Sequence, residues 1–383
     1  MAVDTATPRA AAPPALDRSP NSATSAVGWS LLACVGALVI IFVAHNARRG
    51  AVAARIANPT ERGAHSPVQP LFGWSHWLGL EQVGTIVAMA VVVSLFAVLW
   101  RRHPKHPILI MAICCTAIVW QDPIMNWAPF AVYNPQLWHL PETWPLASIS
   151  PTVEPFVVIG YVMFYLVPFF PARRVLRAVQ RRRPPGSFAR RHPLISLALL
   201  IYVIGFVFDA LLEIVLIRTG MYIYSQVIPF GSLFTGTTYQ FPLLWESSLV
   251  TTVMIPVGVL LYRDNTGHTV AEKLARRIRR FRVRPALGAF VVMFLLVNAA
   301  YLLLYGGGFA VIRASGAATS VACPFPYPEA KVYDPQGLYA QAGQPGPYSA
   351  GIWDGWESGQ SGRPSIATAS IGRCATKTRT LTG

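Results

Sequence analysis

The chain has 383 residues, of which 53% are hydrophobic and only 13% charged, and its mean hydropathy is +0.43. That balance excludes an ordinary soluble domain and points to several membrane-spanning helices. The formal net charge of +16 would suit a nucleic-acid partner. Nucleic acid is nevertheless excluded, because the arginines stand in short clusters between apolar runs, as the positive-inside rule expects.

Residues 1–25 are rich in Ala, Pro, Ser and Thr and read as a disordered tail. A signal peptide is not expected, because the first apolar run starts late and no small-residue cleavage site follows it. Seven apolar runs are predicted to span the bilayer: 27–44, 83–100, 107–122, 155–170, 194–217, 239–262 and 286–305. Each has roughly the 20 residues that a hydrocarbon core of about 30 Å requires. Between the first two runs, the aromatic stretch LFGWSHWLGL (71–80) is predicted to lie at the interface.

Loops 101–106, 171–193 and 263–285 are strongly basic. They alternate with loops 121–154 and 218–239, whose one basic residue is Arg218. This alternation predicts a multi-pass plasma-membrane protein with a cytoplasmic N-terminus and an exported C-terminal tail. Arg48, Arg49, Arg55 and Arg62, on the predicted outer side, are the one conflict.

The expected organisation is therefore an all-α polytopic bundle: a disordered tail (1–25), a seven-span membrane domain (26–306) and an exported tail (307–383). The last is rich in Pro, Gly and aromatic residues, and part of it, around 327–356, is expected to fold over the outer face. Cys34, Cys114 and Cys115 fall inside spans and are expected to pack as apolar residues. Cys323 and Cys374 are a candidate disulfide pair in the exported tail.

Carboxyls inside apolar runs are the chemical anomaly. Asp209 and Glu213 are four residues apart, so a helix stacks them on one face. Glu246 enters the next span at similar depth, and each charge at bilayer depth costs about 2.5–3.5 kcal/mol on insertion scales. Asp122 ends the third span and Glu154 begins the fourth at the same level. Asn126, Tyr133, His139, Arg218, Tyr222, Tyr224 and Tyr239 lie at compatible depths and are the expected substrate-binding residues. Crowded acids in a low dielectric should stand partly protonated and partly ionised, as a cyclisation or dehydration needs.

Plainer accounts exist for each residue. The three span acids could be polar glue between helices. Asp122, before Pro123, could cap a turn, and Glu154 could face a helix dipole. Arg218 could neutralise Glu213, and His139 could be an interfacial ring.

The eight histidines form no metal-binding boxes, and no phosphate-binding loop, dinucleotide fingerprint, nucleophile elbow or Asp-rich diphosphate motif occurs. A site working without cofactor or metal is expected.

The segments QDPIMNW (121–127), SPTVEPF (150–156), FDALLE (208–213) with GMYIYSQ (220–226), and QFPLLWES (240–247) resemble the avermectin spirocyclase, or AveC-type, family. The resemblance covers the third to seventh spans and extends to the YDPQGLYAQAGQPGPY tail (333–348), is weaker over the first 80 residues, and implies spiroketal formation, and in the founding member dehydration, on a polyketide. A fainter likeness, PTVEPF before an aromatic span, is to the small membrane lycopene cyclases. The expected function is thus a membrane cyclase acting by acid–base catalysis on a lipophilic polyketide, terpenoid or lipid. Asp209, Glu213 and Glu246 would form its core, supported by Asp122 and Glu154. A proton-coupled carrier or a structural partner for such a metabolite is the alternative.

Overall fold

The structure is a computed structural model that describes residues 71–134, 137–138 and 155–323, with isolated positions within 26–48 and 332–349. Among the described residues, five helical stretches are long and apolar enough to cross a membrane. The first is α1 (Trp77–Arg102). The second is α2 (Pro107–Ala117), which passes through a 3-10 turn into α3 (Asp122–Trp127). The others are α6 (Pro193–Thr219), α7 (Leu243–Leu261) and the continuous stretch Pro285–Ser315. Between them come α4 (Pro155–Leu166), α5 (Phe169–Arg182) and, after α7, α8 (Val270–Arg276). The architecture is an all-α membrane bundle.

Helix boundaries follow local chemistry. Pro107, Pro193 and Pro285 stand at the first helical position of α2, α6 and the last span, where proline's missing N–H costs nothing. Gly220 ends α6 in the left-handed conformation with φ 85°, a backbone shape open to glycine.

The sequence expectation holds for the second, third, fifth, sixth and seventh runs, with shifts at three places. Expected span one falls on residues of which only isolated positions are described, all helical. Span four is interrupted: α4 stops at Leu166, because Pro168 and Pro171 withdraw two backbone donors. The chain resumes as α5, a basic amphipathic helix whose Phe169, Ala172 and Leu176 are buried. Span six begins at Leu243 rather than 239, since Phe241 is held by Leu233 in an isolated bridge.

Span seven does not stop at 305. Its first part, α9 (Pro285–Ala300), leads into a π-helical stretch, Tyr301–Gly306, and then α10 (Gly307–Ser315).

The core runs through the middle of the bundle, where α6 packs along α7 and α9 packs against α2 and α8. Met111, Ile118, Tyr165, Leu197, Ile201, Val253 and Met293 are buried there. Cys114 and Cys115 belong to this core, whereas Cys34 is exposed on the bundle surface.

Loops close one end of the bundle as a cap. Strand β1 (Ala131–Tyr133) pairs antiparallel with β2 (Tyr222–Tyr224), Tyr133 opposite Tyr222. Strand β3 (Gln226–Val227) pairs with β4 (Ser320–Val321). Gln240, fully buried, pins these pieces together. Its amide donates to the carbonyls of Tyr224 (2.9 Å), Ser225 (3.3 Å) and Ser320 (3.2 Å). Its oxygen accepts from Gly236 N–H and Ser320 Oγ.

From the tail, the short helix Leu338–Gln341 lies against β4. Most of 327–356 is outside the described residues. Cys323 is disulfide-bonded, and its expected partner Cys374 is likewise outside them. The opposite end of the bundle carries the arginine clusters of α5, α8 and the residues after them.

Candidate active site

Helix α6 delivers Asp209 and Glu213 to the face packed on α7, and Glu246 meets them from the first turn of α7. All three are buried, with exposures of 0%, 9% and 3%. They stand within electrostatic reach of one another. Their partners differ. Glu213 Oε2 accepts hydrogen bonds from the hydroxyls of Tyr222 and Tyr224, the latter at 2.7 Å. These tyrosines are two apart on β2, so the pleat turns both phenols to one side.

Burial first, and then Glu213, hold both phenols well above the ordinary tyrosine range, so they remain donors. Glu246 Oε1 accepts from Tyr305 Oη at 2.7 Å, while its Oε2 has no partner. Asp209 has neither oxygen bonded, although the Ser247 hydroxyl lies beside it. Three buried carboxyl oxygens thus remain open, an expensive arrangement for a purely structural core.

A second acid is tied to this group through tyrosines. Asp122 Oδ1 accepts from Tyr161 Oη, and its Oδ2 from Asn126 Nδ2 at 2.8 Å. Tyr161 Oη is 2.7 Å from Tyr301 Oη. Tyr301 and Tyr305 stack at 5.6 Å with an 18° tilt, and Tyr305 reaches Glu246. Tyr165 packs beside them, its ring 5.6 Å from that of Tyr301.

The π-helical stretch carries both Tyr301 and Tyr305 inward, a local widening often found at functional sites. Gly306 ends it where a Cβ would come within 2.9 Å of Met125. The absence of a side chain there lets the stretch approach α3.

The expected site residues sort as follows. Asp209, Glu213 and Glu246 come together, with Asp122 joined through tyrosines. Asn126 holds Asp122, so Asp122 is part of a side-chain network rather than only a turn cap. Tyr222 and Tyr224 bond Glu213, and the Tyr133 ring packs against Tyr222, their centres 5.0 Å apart and their planes tilted by 45°. Arg218 does not neutralise Glu213. Its guanidinium instead lies 4.2 Å from the Tyr239 ring centre. Glu154 and His139 lie outside the described residues.

Sequence reading missed Tyr161, Tyr165, Tyr301, Tyr305 and Ser247. Two tyrosine pairs at a spacing of four, 161/165 and 301/305, were the available signal, since that spacing stacks them on one helix face. Among the described residues, no group of three or more His, Cys, Asp or Glu is placed to hold a metal ion.

Fold and site together define a polytopic membrane protein with a capped core of acids and phenols. The family model for AveC-like spirocyclases matches residues 100–333, more than half of the chain, and the chain belongs to that family. The match takes in every carboxyl and tyrosine of the core. No curated protein and no solved structure matches the chain. Membership supports a cyclase-type function in general terms.

Proposed function

We propose that this protein is a membrane cyclase that forms a spiroketal, or dehydrates a related intermediate, on a lipophilic polyketide, terpenoid or lipid. The observation that carries this reading is the set of open oxygens on Asp209 and Glu246, side by side in a buried core. Spiroketal formation joins two hydroxyls to one ketone carbon and releases one water. A neutral carboxyl protonates the ketone oxygen, and an ionised neighbour takes the proton of the attacking hydroxyl. The hemiketal hydroxyl is then protonated and leaves as water, and the second hydroxyl closes the ring and returns its proton. Two acids of unequal charge complete the cycle without net proton consumption.

In this reading Asp209 and Glu246 exchange the protons, and Tyr222 and Tyr224 orient Glu213. Asp122 stands in reserve behind the tyrosines. The substrate enters from the lipid, and the cap faces the outside of the plasma membrane, with the N-terminus in the cytoplasm.

The test begins with extracts of producing cells with and without the gene, which identify the accumulated precursor. Glu246→Gln and Asp209→Asn should each lower its conversion by roughly a hundredfold or more, at normal abundance in the membrane fraction. An amide keeps size and hydrogen bonding but exchanges no proton, so wild-type conversion in both variants would falsify the catalytic assignment.

The tyrosine path between Asp122 and Glu246 also favours a second reading, a proton-coupled carrier, because intramembrane acids serve as relays. A carrier would leave the compound chemically unchanged and displace it across the membrane.

A further inference from the structure

Beside the acid core, the cap holds an apolar cleft of about 210 Å³. Its walls come from four parts of the chain: Phe130 after α3, Ile228 after β3, Trp245 in the first turn of α7, and Phe309 and Ile312 on α10. The lining is apolar apart from Gln226 and the Trp245 indole. That indole N–H donates to the Phe230 carbonyl at 2.8 Å. One turn deeper α7 and α10 close up, where a Cβ on Gly308 would lie 3.0 Å from Leu249 Cδ2.

The cleft is tied to the acids by its inner wall. The Phe309 ring packs edge-on against Tyr305, the centres 5.3 Å apart and the planes at 68°. Tyr305 Oη in turn bonds Glu246 at 2.7 Å, and Trp245, on another wall, directly precedes Glu246 in the chain. Two rings therefore separate the cleft from an acid with an open oxygen. A further wall is strained. Phe130 stands at φ 63°, a left-handed conformation rare for a bulky side chain. The N–H and Oγ of Ser225 donate to its carbonyl at 2.8 and 3.1 Å, and the Arg313 guanidinium lies 4.0 Å from its ring centre. Strain held from several sides in this way is common at ligand sites.

Phe230, whose carbonyl anchors Trp245, is itself exposed, and aromatic rings of this kind sit at the membrane interface. An apolar molecule moving along that interface meets the cleft beside it. Pockets that enclose a drug-sized ligand whole have about 300–1,000 Å³, so this one takes a single arm of a larger molecule. We propose that the cleft binds an apolar arm, an alkyl branch or chain end, of the lipophilic compound handled at the acid core, with Phe309 between the arm and Glu246. This rests on the acid core being where that compound is handled, whether cyclised or carried.

The probe is an octanol carrying a diazirine, irradiated with the purified full chain in a sterol-based detergent, and the labelled peptides are read by mass spectrometry. Wild type should show saturable labelling on the peptides that carry Trp245 or Ile312, displaced by the precursor that accumulates in cells lacking the gene. Ile312→Trp fills the cleft. It should cut both that labelling and the conversion of precursor in cells by about tenfold or more, as loss of an apolar pocket contact does. Val203→Trp, on the exposed face of α6, adds the same ring elsewhere and should change neither. If Ile312→Trp is not monodisperse, Ile228→Trp, from another wall, replaces it.

Labelling that rises without saturation, or that Ile312→Trp leaves intact, would overturn the site. Displacement by dioleoyl phosphatidylglycerol as strong as by the precursor would give the cleft to a membrane lipid and overturn the assignment. Wild-type conversion in an Ile312→Trp protein that no longer labels would do the same. The acid reading fails separately. Glu246→Gln should keep the saturable label, and wild-type conversion in it would count against the acids while the Ile312→Trp losses still support the cleft.

Discussion

Glu246 shows how narrowly the core is satisfied. One of its oxygens is held by Tyr305 and the other by nothing. Tyr305→Phe would leave the whole carboxyl without a donor, a loss of about 1–3 kcal/mol for a buried acceptor. Thermal unfolding in detergent should show that loss. In a Glu246→Gln background, the same Tyr305 change should cost less, because the amide donates as well as accepts and can find other partners. The double-mutant cycle should return a coupling of roughly 0.5–3 kcal/mol, and additive effects would mean that the Tyr305–Glu246 bond is not a stabilising contact.

At this scale the sequence was half legible. A carboxyl in an apolar run is conspicuous whatever surrounds it, so Asp209, Glu213 and Glu246 stood out. A tyrosine in the same setting is ordinary, because its ring is as welcome in a core as its hydroxyl is at an interface. Tyr161 and Tyr301 acquire meaning only once α4 and the π-helical stretch meet.

Among the elements, the crossing of α6 and α7 decides whether the acids meet at all. Two glycines allow it. A Cβ on Gly258 would sit 2.2 Å from Ile201 Cδ1 and 3.2 Å from Phe169. One on Gly205 would sit 2.7 Å from Met254 Sδ and 2.9 Å from Thr251 Cγ2. Small residues at such contacts let membrane helices approach closely. Gly258→Leu should therefore cost about 1–3 kcal/mol by overpacking. It should also reduce precursor conversion, because it parts Asp209 from Glu246. Gly84→Ala on α1 is the control: nothing lies within 4 Å of the added carbon, and the helix should gain up to about 1 kcal/mol. Similar unfolding midpoints for the two variants would show that the α6–α7 contact is looser than described.

The long helices were legible because hydropathy and length suffice to identify them, and the break in span four was written in Pro168 and Pro171. The cap was not. Its strands are two or three residues long, too short to show alternation, and Gln240 becomes a pin only when Tyr224, Ser225, Gly236 and Ser320 are folded around it. The π-helical stretch is equally hidden, since LLL between two tyrosines fits any helical period.

For the molecule as a whole, the two ends differ in how their cations are used. At the arginine-rich end, most basic residues of α5, α8 and the following loop are exposed and stand close to the predicted membrane boundary. At the cap end, Arg218 lies over Tyr239, and Arg313 sits between the rings of Trp127 and Phe130 at 4.4 and 4.0 Å. Aromatic faces cover both cap-end guanidinium groups, while the other end presents its charge to solvent and lipid headgroups. The positive-inside bias depends on basic residues in short loops near span ends, so the cap should be outside. Single cysteines at Pro185, exposed beyond α5, and at Thr235, exposed in the cap, test this in a background lacking Cys34, Cys114 and Cys115. An impermeant thiol reagent should label Thr235→Cys in intact cells and Pro185→Cys only after permeabilisation. The reverse pattern would put the cap in the cytoplasm, and substrate would then have to reach the acids from the side where it is made.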